Sequence, residues 1–600
     1  MEPLSELYSA IEAHSSGNAG LLLATLVLGA LLLLLSLHRS KYSYYSAPSP
    51  PLRAPYWLFG NVEMVERVAD RHRLYTEWHE RFGPFVRVRI AHRCMLLVAD
   101  PAAASSILVK GPGYVPRKPS EYTAFDVAHG LQGYNGMLTH QDEGTWRAAR
   151  RAIAPAFTVS EVKKQYPVIL GCMGDTMHTL DTAIAAAGGP ADFDIEHHVL
   201  IATNNVIGRG FLKLPEGFID PEQQARDVSF IMATASRFIC EPWRWVGHLY
   251  LPFLTAEGRR MWSARRRLAG WGESIYDLLQ QRYAAAGGVP EDDHSLAGCL
   301  MRITDKHGNK PNRGALVAEI CDALTASETV PSSIMWTLYC IAVRPQLQQQ
   351  LQHEFAATGI TSSTIAAAAA ANSSSSTTCN GSDDAASLRD QGDLALAGPE
   401  TFSASGKSSA AAGVKQQAAA VSAEVLQQRR QRLLDAFAAA GPEVLKQLPL
   451  LQACLYEAMR LYPAGAPGAP RMVEQPTRVG PYLLPPGVIV FPNLYAIMNV
   501  SSNWQQPEQF QPERWAQEHA EKDPITGAAR WVPFSLGPKA CAGQNLAMLQ
   551  SKAHLAMLLA GYEWSLAPRM GGEAGVAART YLGVTIKVQD GLWLTATPRA

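Results

Sequence analysis

The stretch that decides the fold is "PFSLGPKACAGQNLAMLQSKAHLAMLLAGY", which runs from Pro533 to Tyr562. Its second half carries leucines at helical spacing, which predicts a buried helix that begins just after Cys541. A sulfur there lies near the positive end of the helix dipole and near unpaired backbone N–H groups, so we expect a lowered thiol pKa. Gly537 allows a sharp turn before the cysteine, and Gly543 allows close approach of the helix to a flat cofactor. We interpret Cys541 as a metal ligand, although an isolated cysteine is more often a buried, inert thiol.

The pattern Phe-x-x-Gly-x-Lys-x-Cys-x-Gly resembles the haem-binding loop of the cytochromes P450, a family in which a cysteine thiolate binds the haem iron. The resemblance implies that Cys541 is the axial iron ligand of haem b. It also assigns Phe534, Gly537 and Gly543 to the cofactor site. The family usually has an arginine two residues before the cysteine, where it contacts a haem propionate, and this chain has Lys539. Lysine keeps the charge but lacks the fork of a guanidinium, which predicts weaker retention of the cofactor.

A second motif of the family lies upstream of the cysteine loop and consists of two separate parts. "LYEAMRLYP" places Glu457 and Arg460 three residues apart on one helix face, and "FQPERW" supplies Arg514. In the family, Glu-x-x-Arg and a later Pro-Glu-Arg form a buried triad behind the haem loop, and these residues match it. The first pair alone is common on helix surfaces, so the assignment depends on its combination with the cysteine loop. We predict a structural role, because an unpaired buried glutamate costs several kcal/mol.

Two further segments resemble family contacts to the haem propionates. "TWRAARRAIAPAF" matches the helix that bears Trp-x-x-x-Arg, and this assigns Trp146 and Arg150 to the cofactor site. Their i, i+4 spacing puts both side chains on one helix face. Arg471, shortly after the Glu-x-x-Arg helix, resembles another propionate contact. A solvated arginine remains the alternative for both Arg150 and Arg471.

The segment "GALVAEICDALTASETVPSSIMWTLYCIAVRP" predicts a long buried helix that resembles the central helix of the family. Alignment of the family motif with this segment places the acid of the motif at Glu328 and its threonine at Thr329. The usual glycine is Ala326 and the usual second threonine is Val330, so the motif is altered. Pro331 removes a helix hydrogen bond and predicts a kink beside Thr329. The resemblance implies that Glu328 and Thr329 deliver protons during oxygen activation, and a polar turn in a buried helix is the alternative.

The N-terminal region predicts a membrane anchor. Residues 20–37 carry no charge, and as a helix they would be about 27 Å long, enough to cross a bilayer core. A cleaved signal peptide is the alternative, but residues 1–19 contain acidic side chains and no lysine or arginine. Basic Arg39 and Lys41 follow the apolar stretch, so the rest of the chain is expected on the cytosolic face, with the endoplasmic reticulum as the expected membrane. Residues 38–56 form a proline-rich linker.

Residues 57–600 are interpreted as one haem-thiolate catalytic domain, mainly α with a small β region, as the resemblance implies. Alanine, serine, glycine and threonine dominate residues 357–423, where large apolar residues are rare. Such a segment cannot bury enough surface to offset its ordering entropy, so we predict a disordered insertion. The family motifs on its two sides belong together, which argues against a domain boundary there.

Composition limits the classes of function. The chain has 53 basic and 53 acidic residues, so no strong overall field favours nucleic acid as a partner. Nine scattered cysteines with no zinc spacing argue against a disulfide framework or a zinc site and fit a reducing compartment.

The resemblance implies a monooxygenase that inserts one oxygen atom of O2 into a lipophilic small molecule. Electrons would come from NADPH through a separate reductase, NADPH-cytochrome P450 reductase or a similar donor, because the chain has no flavin or dinucleotide motif. A redox-independent haem-thiolate isomerase or dehydratase is one alternative, and the acid–threonine pair argues against it. A membrane-tethered haem sensor is the other alternative.

Overall fold

The structure is a computed structural model, and it describes residues 28–29, 41–52, 60–61, 63–90, 93–119, 134–240, 254–305, 307–360, 422–466, 468 and 470–599. The helices are α1 (Glu63–Glu66), α2 (Arg71–Phe82), α3 (Pro101–Leu108), α4 (Glu143–Ile153), α5 (Val159–Lys164), α6 (Tyr166–Ala187), α7 (Ile195–Asn205), α8 (Pro221–Cys240), α9 (Ala256–Ala285), α10 (Leu296–Met301), α11 (Arg313–Ala326), α12 (Thr329–Ala342), α13 (Pro345–Ala357), α14 (Ala423–Ala440), α15 (Pro449–Leu461), α16 (Leu494–Asn499), α17 (Gln544–Gly561) and α18 (Gly572–Arg579).

The strands are short and belong to small sheets. They are β1 (Phe85–Ile90), β2 (Arg93–Val98), β3 (Ala191–Asp194), β4 (Arg471–Met472), β5 (Thr477–Val479), β6 (Tyr482–Leu484), β7 (Ile489–Pro492), β8 (Tyr562–Leu566), β9 (Thr580–Leu582), β10 (Ile586–Val588) and β11 (Trp593–Pro598). The largest sheet has the order β1-β2-β7-β4, with β2 and β7 parallel and the other pairs antiparallel. A second sheet has the order β3-β11-β8, and β9–β10 and β5–β6 form two hairpins.

Several helices begin at residues whose side chains cap the first turn. Asp142 accepts a hydrogen bond from the backbone N–H of Thr145 at the start of α4, and Asn312 accepts one from Ala315 at the start of α11. Ser422 caps α14 in the same way. A side-chain oxygen at this position satisfies a backbone donor that has no partner within the helix. The sequence therefore fixes locally where the helices that flank the site begin.

The core is built around α12, which packs against α7, α15 and α17. The indole of Trp336 stacks on Tyr462 with 3.9 Å between ring centroids, and its Nε1 donates to the carbonyl of Ile586 at 2.8 Å. Aromatic packing and a satisfied indole N–H hold α12 against both α15 and β10. This contact therefore fixes the position of β10 against α12.

The predicted class, mainly helical with small sheets, is confirmed. Among the described residues, no helix is long and apolar enough to cross a membrane. The predicted anchor at 20–37 lies outside the described residues except for positions 28 and 29, as do the whole of residues 1–19 and parts of the linker at 38–56. Residues 361–421, nearly all of the predicted insertion, also lie outside them.

Candidate active site

The cysteine loop is anchored at both ends. The backbone N–H of Cys541 donates to the carbonyl of Phe534 at 2.9 Å, and α17 begins three residues after the cysteine. Gly537 has φ +70°, and a Cβ there would lie 2.1 Å from the carbonyl oxygen of Leu108 in α3. Only glycine tolerates both the left-handed backbone and this close approach. Gly543 is the N-cap of α17, where an added Cβ would make no close contact.

The Cys541 side chain is accessible from one side, while protein surrounds the others. Burial raises the pKa of the thiol, and the backbone N–H of Gly543 and the charge of Arg150 offset this effect only in part. The expectation that the helix terminus alone lowers the thiol pKa is therefore wrong, because desolvation of the anion is the larger effect. A coordinated metal ion would add a positive charge that favours the thiolate.

The structure brings together Glu457, Arg460 and Arg514. Arg460 donates two hydrogen bonds to the carboxylate of Glu457, both at 3.0 Å, and Arg514 Nε donates one at 3.1 Å. Trp515 Nε1 and the backbone N–H of Gln511 also donate to it at 3.1 Å. Glu457 and Arg460 are fully buried. The carboxylate is saturated with donors, which suits a structural role better than a chemical one.

Lys539 contacts two residues of α4. Its Nζ lies 2.7 Å from Oε2 of Glu143 and 3.6 Å above the ring centroid of Trp146. The side chain of Lys539 is 5% exposed, and burial lowers the pKa of its ammonium. Ion pairing with Glu143 and the face of an indole both stabilise the charge. Sequence reasoning missed Glu143, although its place in the first turn of the Trp-x-x-x-Arg helix is a usable signal.

The remaining cations lie near the cysteine loop or near Lys539. Arg150 is partly buried and interacts electrostatically with Cys541, and burial lowers its pKa. Arg471, in β4, is 3% exposed and its Nη1 donates to the carbonyl of Pro470 at 3.0 Å. Sequence reasoning missed Lys118, which is buried and donates to the carbonyls of Met137 and Leu138. Burial, with the charges of Lys539 and Arg471 as smaller causes, lowers the pKa of Lys118 to about 7.

The central helix is interrupted where the altered motif lies. α11 ends at Ala326 and α12 begins at Thr329, so Ser327 and Glu328 form a break between the two helices. Ser327 Oγ lies 2.7 Å from the carbonyl oxygen of Leu324 and 2.5 Å from Oδ1 of Asn204 in α7, and its single proton is shared between these two acceptors. Pro331 stands in the first turn of α12, where it has no helical hydrogen bond to remove. The predicted kink thus takes the form of a two-residue interruption, in which Ser327 and Glu328 keep right-handed helical dihedral angles and the N–H of Glu328 donates to the carbonyl of Thr325.

The acid and the threonine at this break differ in burial and in their contacts. Ala326 is exposed and Thr329 is half-buried, and Thr329 Oγ1 donates to the Ala326 carbonyl at 3.1 Å. We call the surface formed by Ala326 and Thr329 the open face. Glu328 is fully buried, and its Oε1 lies 2.5 Å from Nζ of Lys587 in β10. The break therefore has a buried carboxyl group beside Lys587 and, at the next residue, a hydroxyl on the open face.

The residues present fit haem b. Cys541 offers an accessible sulfur near the N-terminus of a helix, and the open face is accessible surface between two helices whose neighbouring residues are mostly buried. The basic side chains of Lys118, Arg471 and Lys539 are buried close enough for Lys539 and Arg471 to lower the pKa of Lys118, an arrangement that favours carboxylates nearby. A flat cofactor with a metal that accepts a thiolate and with two carboxylates matches this set of groups.

Comparisons with known proteins agree with the geometry. The sequence model of the family Cytochrome P450 matches residues 48–365 and 420–574. Rat Cytochrome P450 4B1 is 24% identical over 572 residues, which cover 91% of this chain and 90% of that protein. The monooxygenase alnD of Emericella nidulans is 22% identical over 88% of this chain and 81% of its own length. Secologanin synthase 2 of Catharanthus roseus is 23% identical over 74% of this chain and 70% of its own length.

A solved structure has the same fold. The cyanobacterial CYP120A1, described with retinoic acid bound, superposes with a TM-score of 0.61 at 15% identity and covers 92% of this chain and 99% of its own. At this identity the likeness concerns the fold alone. The family match, which extends over both sides of residues 366–419, carries the assignment. The chain therefore belongs to the cytochrome P450 family of haem-thiolate monooxygenases.

Proposed function

We propose that this P450 inserts one oxygen atom of O2 into a lipophilic small molecule, with electrons that come from NADPH through a separate membrane-bound reductase. The observation that carries the proposal is the accessible thiol of Cys541 in a loop fixed by Gly537 and by the Phe534 carbonyl. A separate electron donor is needed because the sequence contains no flavin or dinucleotide motif.

Each group of the site has a distinct task in this proposal. Bound haem supplies the iron at which O2 is reduced and cleaved, and the Cys541 thiolate increases the electron density that favours cleavage. Arg471, Lys539 and Arg150, with Trp146, would hold the propionates and the face of the cofactor. The hydroxyl of Thr329 would hold a water molecule on the open face, and Glu328 would supply the proton that this water passes on.

The membrane location is part of the proposal. The uncharged stretch at 20–37, followed by Arg39 and Lys41, supports a single-pass anchor with the catalytic domain on the cytosolic face, in the endoplasmic reticulum. A catalytic domain held at a bilayer meets lipophilic compounds at the concentration to which they partition there. This supports a lipophilic substrate over a polar one.

The test uses the full-length protein in lipid vesicles with NADPH-cytochrome P450 reductase. Lipophilic compounds that shift the haem spectrum on binding are incubated with NADPH under ¹⁸O2. We expect a product that carries one ¹⁸O atom and whose formation stops without NADPH, without O2 or without the reductase. Conversion of a hydroperoxide in the absence of NADPH and O2, with no ¹⁸O incorporation, would replace this proposal by the isomerase or dehydratase. Binding with no turnover at all would favour the haem sensor.

A further inference from the structure

Four elements meet at one buried ammonium group. Lys587 Nζ lies 2.5 Å from Oε1 of Glu328 and 2.8 Å from Oε1 of Glu196, and it donates to Oγ of Ser229 at 3.0 Å. The exposed fractions are 0% for Glu328, 3% for Lys587 and 8% for Glu196. The helix break, β10, α7 and α8 each contribute one of these residues. We call the three charged residues the Lys587 cluster.

The charges of the Lys587 cluster do not balance. Two carboxyl groups share one ammonium, and an unpaired buried carboxylate is expensive, so one of them is expected to keep a proton. Lys587 contacts both carboxyl groups, but Glu328 is the more deeply buried of the two, and among the described residues its oxygens have no further hydrogen-bond donor. The proton therefore belongs on Glu328. Burial raises the pKa of Glu328 to about 7, the charge of Lys587 opposes this effect, and the charge of Glu196 adds to it.

Helix α7 supports the break in two ways, directly at Ser327 and through Lys587 at Glu328. Asn204, near the end of α7, accepts the hydrogen bond from Ser327, and Glu196, near the start of α7, holds Lys587. Burial works against the charge of Lys587, but the two carboxyl groups outweigh it and raise its pKa, so this residue remains an ammonium. The titrating partner is consequently Glu328, which stands directly before Thr329 and the open face.

We propose that Lys587 and Glu196 are positioning residues that make Glu328 a proton reservoir for the open face. The use of the stored proton rests on the proposed function, whereas its storage on Glu328 does not. Glu328 releases its proton to the water held by Thr329 and becomes a carboxylate paired with Lys587. A proton from solvent then restores the neutral carboxyl group. Within the described part of the chain, the charged groups that act on Glu328 are Lys587 from β10 and Glu196 from α7, and the α8 residue that contacts Lys587, Ser229, is uncharged.

The storage step can be measured without turnover. Infrared spectra of the haem-loaded protein are recorded from pH 5 to pH 9, and the carbonyl band that Glu328→Gln removes is assigned to protonated Glu328. We expect this band to titrate near neutral pH. Glu196→Gln removes the rival for Lys587 and should lower the midpoint by about one pH unit, and Lys587→Met should raise it by at least about that much. Lys587→Arg should keep the midpoint near that of the wild type.

Two controls keep the result decisive. Ser229→Ala removes one hydrogen bond from Lys587 without a change of charge, so it should shift the midpoint much less than Glu196→Gln. If Lys587→Met does not fold, Glu196→Gln and Lys587→Arg still determine the outcome. A Glu328 that is ionised from pH 5 to pH 9, or one whose midpoint is the same in Glu196→Gln, would overturn the proposal.

A second readout separates this proposal from the function itself. In the wild type, the pH dependence of product formed per NADPH should follow the infrared midpoint, and in Glu196→Gln both should move together. An infrared titration as expected, in a protein with no oxygenase activity, would refute the proposed function and leave the reservoir intact. If the pH dependence of product formed per NADPH did not move with a shifted infrared midpoint, Glu328 would not be the proton source.

Discussion

Glu457 and Glu328 are both fully buried, yet the structure surrounds them in opposite ways. Glu457 accepts hydrogen bonds from two arginines, an indole and a backbone N–H. Glu328 shares one lysine with a second carboxyl group. Several hydrogen-bond donors stabilise a carboxylate, whereas a buried carboxyl group that shares its only counter-ion with a second one exchanges its proton more easily. The comparison separates a glutamate that supports the fold from one that is suited to chemistry.

The largest effect is expected at Glu457. Glu457→Ala leaves the buried Arg460 and the partly buried Arg514 without their shared partner, and breaking such a buried pair costs about 3–5 kcal/mol. We expect most of the protein to lose its fold and its haem, measured as haem content and as the thermal midpoint. Glu443→Ala is the matched control, because Glu443 pairs with two lysines on the surface, where solvent screens ion pairs and they contribute little to stability. Equal losses in the two variants would contradict the structural role of Glu457.

On the other side of the comparison, Thr329→Ala should leave folding intact and change chemistry. The variant keeps Glu328 but loses the hydroxyl that would hold water on the open face. We expect unchanged haem content and substrate binding, a several-fold lower yield of product per NADPH and a matching rise in hydrogen peroxide. Thr337→Ala, a buried threonine of α12 whose hydroxyl donates to the Ser333 carbonyl, serves as the control. Wild-type coupling in Thr329→Ala would remove Thr329 from the proton path.

How much of this could be predicted depends on how far apart the partners lie in sequence. Glu457 and Arg460 share one helix turn, so their pairing is visible in the motif itself. The partner of Glu328 is Lys587, a residue of a three-residue strand that only the packing of Trp336 against β10 brings to the helix break. Nothing in the local pattern around either residue indicates that contact.

The cysteine loop shows the same limit. Its glycines and the start of α17 follow from local backbone chemistry, and the sequence predicts both. The pKa of Cys541 depends on how much protein surrounds the sulfur, which spacing along the chain does not report. The engagement of Lys539 by Glu143 also requires the docking of α4 on the loop. Long-range packing therefore determines the thiol pKa and the ion pair of Lys539, which the motifs alone do not predict.

A smaller effect is expected at Lys539. Lys539→Ala removes the contacts with Glu143 and Trp146 and should speed haem dissociation, measured by transfer of haem to apomyoglobin. Lys539→Arg should match or slow the wild-type rate, because a guanidinium can bind a carboxylate with two hydrogen bonds. Glu143→Gln tests the competing partner, and it should slow dissociation if it frees Lys539 for a propionate. Equal rates in all four proteins would mean that Lys539 does not contact the cofactor.

The smallest effect is expected outside the regions compared. Replacement of residues 361–421 by a short Gly/Ser linker should change the free energy of unfolding by about 1 kcal/mol or less, because loop-closure entropy depends weakly on length. Leu433→Ala in α14, at a site 2% exposed, is the sensitivity control, with an expected loss of about 2–5 kcal/mol. A loss as large in the linker variant as in Leu433→Ala would show that the segment packs against the fold.

The central claim is that the Cys541 thiolate binds the haem iron, and the spectrum of the reduced protein with carbon monoxide tests it most directly. The wild type should absorb at the long wavelength typical of thiolate-bound haem, and Cys541→Ala should lose that band. Cys94→Ala, at the partly buried cysteine of β2, should keep it. A long-wavelength band that survives in Cys541→Ala, or that disappears in Cys94→Ala, would contradict the account.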